Sequence, residues 1–243
     1  MSSGLEVYNN NGVLQITDKF KNIQFLSKTT ATINTQNKEY YTNTVPNSGY
    51  CTVALPQITN TFYALRCEDS NPITWFVSYP VLSYPPMVFG APTLVVIGTL
   101  NSTVTIYTFG WDNIPSGEHF EVKNSSGELV FSDKAKFMKI IDSYSGVRTA
   151  DFSRSQAETV LGTTNHLSAI KTAVFLGGYC FQEDLDWHGE YTGYECILSF
   201  VFNSTSTIGN YHKHYDTNSV NYYYHYRNYD LNYSYSVVDV TGL

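Results

Sequence analysis

Apolar and polar residues alternate in short, strand-sized runs along most of the chain. LEVYN (5–9) and VLQIT (13–17) flank an Asn-rich turn with Gly12, a residue that takes positive φ without a Cβ clash. TATINT, YCTVAL, TFYALRC, ITWFVSY, TLVVIGTL and STVTIYTFGW follow, each rich in β-branched and aromatic residues and bounded by Gly, Pro, Asn or Ser. About eight short strands in this first half predict a β-sandwich. SYPPM at 83–87 cannot donate ladder hydrogen bonds at its prolines, which places it at an edge or crossover. In the second half ECILSFVFN (195–203) predicts a buried strand and SVVDV (236–240) a closing one. DFSRSQAETVLG (151–162) predicts a short helix capped by Ser153.

The opening pattern recurs. With Leu5 set against Phe120, an offset of 115, Glu6 meets Glu121, Val7 meets Val122 and Gly12 meets Gly127. Leu14 then meets Leu129, Asp18 meets Asp133 and Lys19 meets Lys134. A second echo is GYC, at 49–51 and 178–180, each followed by a cysteine 16 residues on (Cys67 and Cys196). Its offset is 129, from Cys51 to Cys180. The two offsets together predict a duplication with an insertion in the second copy, between Asp142 and Gly177. The expected architecture is therefore all-β: two tandem antiparallel β-sandwich domains, 1–114 and 115–243, divided at the Pro/Gly punctuation of Ile114–Gly117.

Composition narrows the classes. Of 243 residues, 42% are hydrophobic, 16% aromatic and only 14% charged, against about a quarter charged in ordinary domains. Such a chain folds, and its surface is covered by Asn, Ser, Thr and Tyr. The net charge of −7, with no Lys/Arg cluster, argues against nucleic acid. The first residues show no secretory signal, and the longest apolar run, TLVVIG at 93–98, is too short for a membrane span. The expectation is a cytoplasmic product with four free thiols: Cys51, Cys67, Cys180 and Cys196.

Three stretches carry candidate chemistry. Between the last two cysteines, Glu183, Asp184, Asp186, Glu190 and Glu195 supply carboxylates for glycoside hydrolysis or Ca²⁺, with Trp187 as a sugar platform; a solvated hairpin is the plainer reading. His212, His214 and Asp216 fall on one face if their segment is a strand, the pattern of a metal site, or simply of a polar strand face. Of the 21 tyrosines, nine lie between Tyr211 and Tyr235. Tyrosine combines contact area with a hydroxyl, so Tyr222, Tyr224, Tyr226 and Tyr229 are candidate receptor contacts beside Trp187. No phosphate-binding loop, HExxH or GxSxG motif is present, and no cofactor is expected beyond an ion at His212/His214.

GLEVYNNNGVLQITDKFKNIQFL resembles the opening of small minor-tail and tail-tip proteins of tailed bacteriophages and prophages, and FEVKNSSGELVFSDKAKFMKIID is similar to the same opening used again. The likeness covers 5–26 and 120–142 well, 88–111 less well and 143–243 poorly. It implies a non-enzymatic structural component of the distal tail, made and assembled in the host cytoplasm. It also implies a homo-oligomer around the tail axis, with a trimer favoured, bound to the central tip protein or to fibres. On this reading the first copy docks on the tail, and the second, with its Tyr-rich end, faces a fibre or the host surface. The alternatives are a carbohydrate-binding module that recognises host glycan and, third, a polysaccharide depolymerase using the acidic stretch.

Overall fold

A computed structural model describes residues 6–8, 10, 12, 14–17, 22–36, 48–55, 61–78, 81–83, 88–89, 91–111, 114–148, 157–178, 181–187, 191–218, 226–230 and 232–243. The first half holds β1 (Glu6–Tyr8), β2 (Leu14–Thr17), β3 (Gln24–Thr32), β4 (Thr35–Gln36), β5 (Ser48–Ala54), β6 (Thr61–Cys67), β7 (Ile73–Ser78), β8 (Val81–Ser83), β9 (Val88–Phe89), β10 (Thr93–Thr99) and β11 (Thr103–Gly110). The second holds β12 (Glu121–Lys123), β13 (Leu129–Ser132), β14 (Lys139–Val147), β15 (Ala157–Asn165), β16 (Thr172–Gly178), β17 (Phe181–Trp187), β18 (Tyr191–Phe202), β19 (Ser206–Asn218), β20 (Tyr226–Asp230) and β21 (Asn232–Asp239). The fold is all-β and antiparallel, a β-sandwich as the alternation predicted, and no described residue is helical.

The duplication is visible in the hydrogen-bond register. β1 pairs β2 as Glu6↔Thr17, Val7↔Ile16 and Tyr8↔Leu14, with a bulge after Val7. β12 pairs β13 as Glu121↔Ser132, Val122↔Phe131 and Lys123↔Leu129, with the bulge after Val122. Every partner is displaced by 115, and the turn glycines Gly12 and Gly127 have φ of 76° and 79°. The match extends to the next ladder. β3 on β11 and β14 on β21 share one register, each skipping one residue at a bulge, Leu26 in one and Ile141 in the other.

The halves nevertheless do not close two separate sandwiches. One sheet runs β14-β21-β16-β6-β11-β3, and the other runs β15-β19-β18-β7-β10-β5-β4 with β17 and β20 attached. Each sheet takes strands from both halves, joined at β6–β16 and β7–β18. One apolar core between the sheets contains Ile33, Leu65, Val96 and Ile106 from the first half and Val174, Leu198, Phe200 and Val237 from the second. The physical reason is that β6 and β7 would leave unpaired, apolar edges if their half stood alone; pairing each with a second-half strand satisfies both. Ala64 stands opposite Phe175, and Met138 N–H donates to the Ile23 carbonyl at 2.9 Å. In both places a residue meets its own repeat partner, so the halves are related by a pseudo-two-fold axis through these points.

The six-stranded sheet also curls until its edges touch. Gln24 bridges Phe137, and Phe25 N–H donates to the Lys136 carbonyl at 2.6 Å. A second core of Ala64, Tyr107, Phe109, Met138, Ala173 and Val238 forms on that outer face, lined by Phe25, Phe62 and Phe175. With both faces covered, β11 is buried almost throughout, which explains why TVTIYTFG carries so little polar alternation.

Three finer expectations change. Residues 157–162, expected as part of a helix, are strand: β15 pairs along β19, and that ladder outweighs the local capping signal. The insertion is not between Asp142 and Gly177. From the ladders with β11 and β21, Thr61 of β6 corresponds to Thr172 of β16, an offset of 111, while Thr103 of β11 corresponds to Asn232 of β21, an offset of 129. The extra chain therefore follows β16, where β17 and β20 lie. The cysteine echo is not a structural equivalence either, since Cys67 lies in the six-stranded sheet on β6 while Cys196 lies in the other on β18.

Candidate functional site

The added strands form the most distinctive feature of the second half. β18 is long enough to hold two partners in tandem along one edge: Phe200 pairs Ile73 of β7, while Tyr191–Ile197 pair β17. β20 then pairs β17, and β19 runs along the other edge of β18. The result is a four-stranded apron, β20-β17-β18-β19, whose ladders contain no bulge.

Unbroken register allows the predicted residues to be placed by position. Trp187 is opposite Tyr191, Tyr226 opposite Leu185, His212 opposite Ile197, His214 opposite Glu195 and Asp216 opposite Gly193. Because side-chain positions alternate along a strand, Trp187, Tyr226, His212, His214 and Asp216 occupy one face of the apron. Tyr229, opposite Gln182, belongs to the other face. Tyr222 and Tyr224 lie outside the described residues. The acidic stretch is a strand as far as Trp187, and its Glu183 stands opposite Glu195 on one side and Asn228 on the other.

Where the apron face continues onto the sandwich, Ser199 stands opposite Asn210, and Thr74 of β7 lies in the same row. Thr74, Ser199 and Asn210 are 6%, 4% and 5% exposed. Thr74 Oγ1, Ser199 Oγ and Asn210 Oδ1 have no hydrogen-bond partner among the described residues. Buried polar atoms are nearly always satisfied in folded proteins, so a row of three marks a special place. Sequence reasoning missed it because isolated Ser, Thr and Asn residues carry no periodic signal.

Elsewhere the polar chemistry holds the fold. Glu68 accepts from Thr105 Oγ1 at 2.6 Å and pairs with Lys171 at 2.9 Å and Arg66 at 3.2 Å, while Arg66 donates to the Thr172 carbonyl at 3.0 Å. The cluster ties β6 and β11 to the entry of β16. Burial alone would raise the Glu68 pKa, but hydrogen bonds from Thr105 and Lys171 and the nearby Lys171 and Arg66 charges lower it. Asp133, at the end of the repeated hairpin motif, accepts the Glu118 and His119 N–H groups at 2.9 and 3.0 Å, which gives that aspartate a structural reason. Cys51 and Cys67 are free and buried, and burial raises both thiol pKa values. No helix among the described residues is long and apolar enough to cross a membrane.

Comparison with protein-family models, with curated proteins and with solved structures found no match to this chain.

Proposed function

We propose that the protein is a non-enzymatic structural component of the distal tail of a tailed bacteriophage, seated on neighbouring tail proteins and presenting the β17–β20 apron outward. The observation that carries this reading is the repeated hairpin. β1–β2 reproduces β12–β13 down to its bulge, belongs to neither large sheet, and leaves Val7 and Tyr8 exposed. An apolar hairpin held outside the main sheets suits docking on a neighbour. The sequence likeness to tail-tip proteins lies in this same stretch. The apron, by contrast, extends only one half of a pseudo-symmetric body, as expected of an outward-facing addition. The proposal includes several copies around the tail axis, with a trimer favoured. Incorporation of a tagged chain into assembling virions tests it: the full chain enters tails and a chain lacking residues 1–20 does not. A full chain that never enters virions rules the proposal out.

One observation favours a second reading, recognition of host glycan. Trp187 and Tyr226 share the apron face with Asn228, His212 and His214 positions, a mix of stacking and hydrogen-bonding groups suited to sugars. Glycan-array binding that is lost in Trp187→Ala supports this reading; an array without hits removes it.

A further inference from the structure

The two repeats differ in kind at one matched position. Thr32 of β3 pairs Thr103 and Val147 of β14 pairs Asn232, so the offset of 115 between β3 and β14 matches Ile33 with Arg148. Ile33 is 0% exposed and fills the space over Gly49 and Gly98, between the sheets. In the second half Tyr144 and Tyr235 take the corresponding space over Gly162 and Gly209, and Arg148 stands elsewhere. Its guanidinium carbon lies 4.6 Å from the ring centroid of Tyr211, on β19 of the opposite sheet. Tyr211 is buried and packs with Leu161 and Tyr233. The Tyr233 ring occupies the room left by Gly146, two residues before Arg148.

Two features of Arg148 call for an anion. Its Nε is buried and has no hydrogen-bond partner among the described residues. A buried N–H without an acceptor is costly, and more so on a charged group. Arg148 is also the exception among the cations whose side chains are described. Arg66 and Lys171 share Glu68, and Lys123, Lys134 and Lys139 each pair with a carboxylate. Lys28 and Lys136 donate to the carbonyls of Leu243 and Gly242. The chain has 21 acidic residues against 14 basic ones, so acceptors are not scarce, yet Arg148 has no ion pair among the described residues. Asp142, the acid of β14, is engaged by the Tyr144 hydroxyl and the Ser143 N–H. The face of Tyr211 attracts the cation but supplies no lone pair for its N–H groups.

We propose that Arg148, held over Tyr211, anchors a binding site for one oxyanion group, a carboxylate, phosphate or sulfate, at the end of β14 where the two sheets of the second half face each other. The Nε–H and one Nη–H of a guanidinium point the same way and match two oxygens of such a group. Tyr211 fixes the guanidinium from the opposite sheet, so the fork is set before the ligand arrives. The site belongs to the second half alone, because Ile33 stands at the matched position of the first. It holds whether or not the protein belongs to a phage tail.

The test is calorimetric titration of the full-length protein with sodium glucuronate, sodium phosphate and sodium sulfate, at one ionic strength set with chloride, beside thermal melts in the same solutions. The expected result is saturable binding of at least one of the three, one anion per chain, with a raised melting temperature. The anion that binds best identifies the source: glucuronate points to a carboxylate-bearing sugar, phosphate or sulfate to a tetrahedral group. Arg148→Ile, which installs the residue of the matched position, abolishes binding. Arg148→Lys keeps the charge without the fork and weakens binding by about tenfold or more. Lys139→Ala, at a cation paired with Asp239, binds as the parent does. Circular dichroism checks that each variant is folded; if Arg148→Ile is not, Arg148→Lys carries the test. Absence of saturable binding of all three anions, or binding unchanged in either folded Arg148 variant, overturns the proposal.

Discussion

Tyr235 lies directly over Gly209: a Cβ built on that glycine would collide with the tyrosine Oη. Gly209 faces Gly162 on the neighbouring strand, whose missing Cβ is likewise filled by Tyr144 and Tyr235. In the first half Gly98 faces Gly49, and there Ile33 occupies the space, 2.9 and 3.0 Å from the two would-be Cβ atoms. Each half thus carries a pair of opposed glycines in one sheet and a large side chain seated on it, Tyr235 of β21 in one half and Ile33, just past the end of β3, in the other. Gly209→Ala should destabilise the fold by about 1–3 kcal/mol, because backbone and a buried ring must both move. Urea titration of Gly209→Ala beside the parent measures it. Gly12→Ala meets open space and costs only the positive-φ penalty, about 1 kcal/mol.

The Tyr235 hydroxyl is buried and has no hydrogen-bond partner among the described residues, and burial raises its pKa, as does the nearness of Tyr144 and Tyr233. Burial also pushes Tyr107 up to about 12, with Glu68 adding to the shift. A buried tyrosine keeps its proton in the folded state while the unfolded chain loses it near pH 10. Stability therefore falls as pH rises above about 10, at about 1.4 kcal/mol per pH unit for each such group. Tyr235→Phe removes an unsatisfied polar atom, so at pH 7 it should be neutral or stabilising, within about 1 kcal/mol. Denaturation of the parent and Tyr235→Phe between pH 8 and 11 checks both statements; the variant should show the shallower decline.

Glu68 has the opposite sign. Its folded pKa is lowered, so the stability it confers is complete above the unfolded value of about 4.5 and is lost as pH falls through the folded one. Glu68→Gln should cost about 1–2 kcal/mol at pH 7 and make little difference at pH 3. Thermal melts at the two pH values decide it.

Because Cys51 and Cys67 lie inside the common core with raised pKa values, they should resist a thiol reagent in the native protein and react on unfolding. Mass spectrometry after brief alkylation, with and without denaturant, reports this directly.

Residues 1–114 expressed alone should not form a stable monomer, since the β6 and β7 edges then lose their second-half partners. The pseudo-two-fold seam makes a homodimer or aggregate the expected product. Light scattering that shows a folded monomer would show that the halves do not depend on each other.

The hairpins were legible in the sequence because everything that sets them is local: a two-residue alternation, a glycine that tolerates positive φ, and an aspartate that caps the returning chain. The sharing of sheets was not legible. It depends on which strand edge finds which partner across about a hundred residues, and Ala64 and Phe175 carry no mark of that choice. β15 was misread for the same reason, its helical signal being local and its ladder with β19 remote. His212, His214 and Asp216 could be set at alternate positions of a strand from spacing alone. That Glu195 and Glu183 complete their row needed the register.

The measurement that bears most directly on the proposed role is cryo-electron microscopy of intact virions assembled with this chain. The account predicts density for the pseudo-two-fold sandwich at the distal tail, with the β1–β2 hairpin against a neighbouring tail protein and the β17–β20 apron turned outward. Virions that lack the chain, or an apron including Tyr226–Asp230 buried against the tail tube, would contradict it.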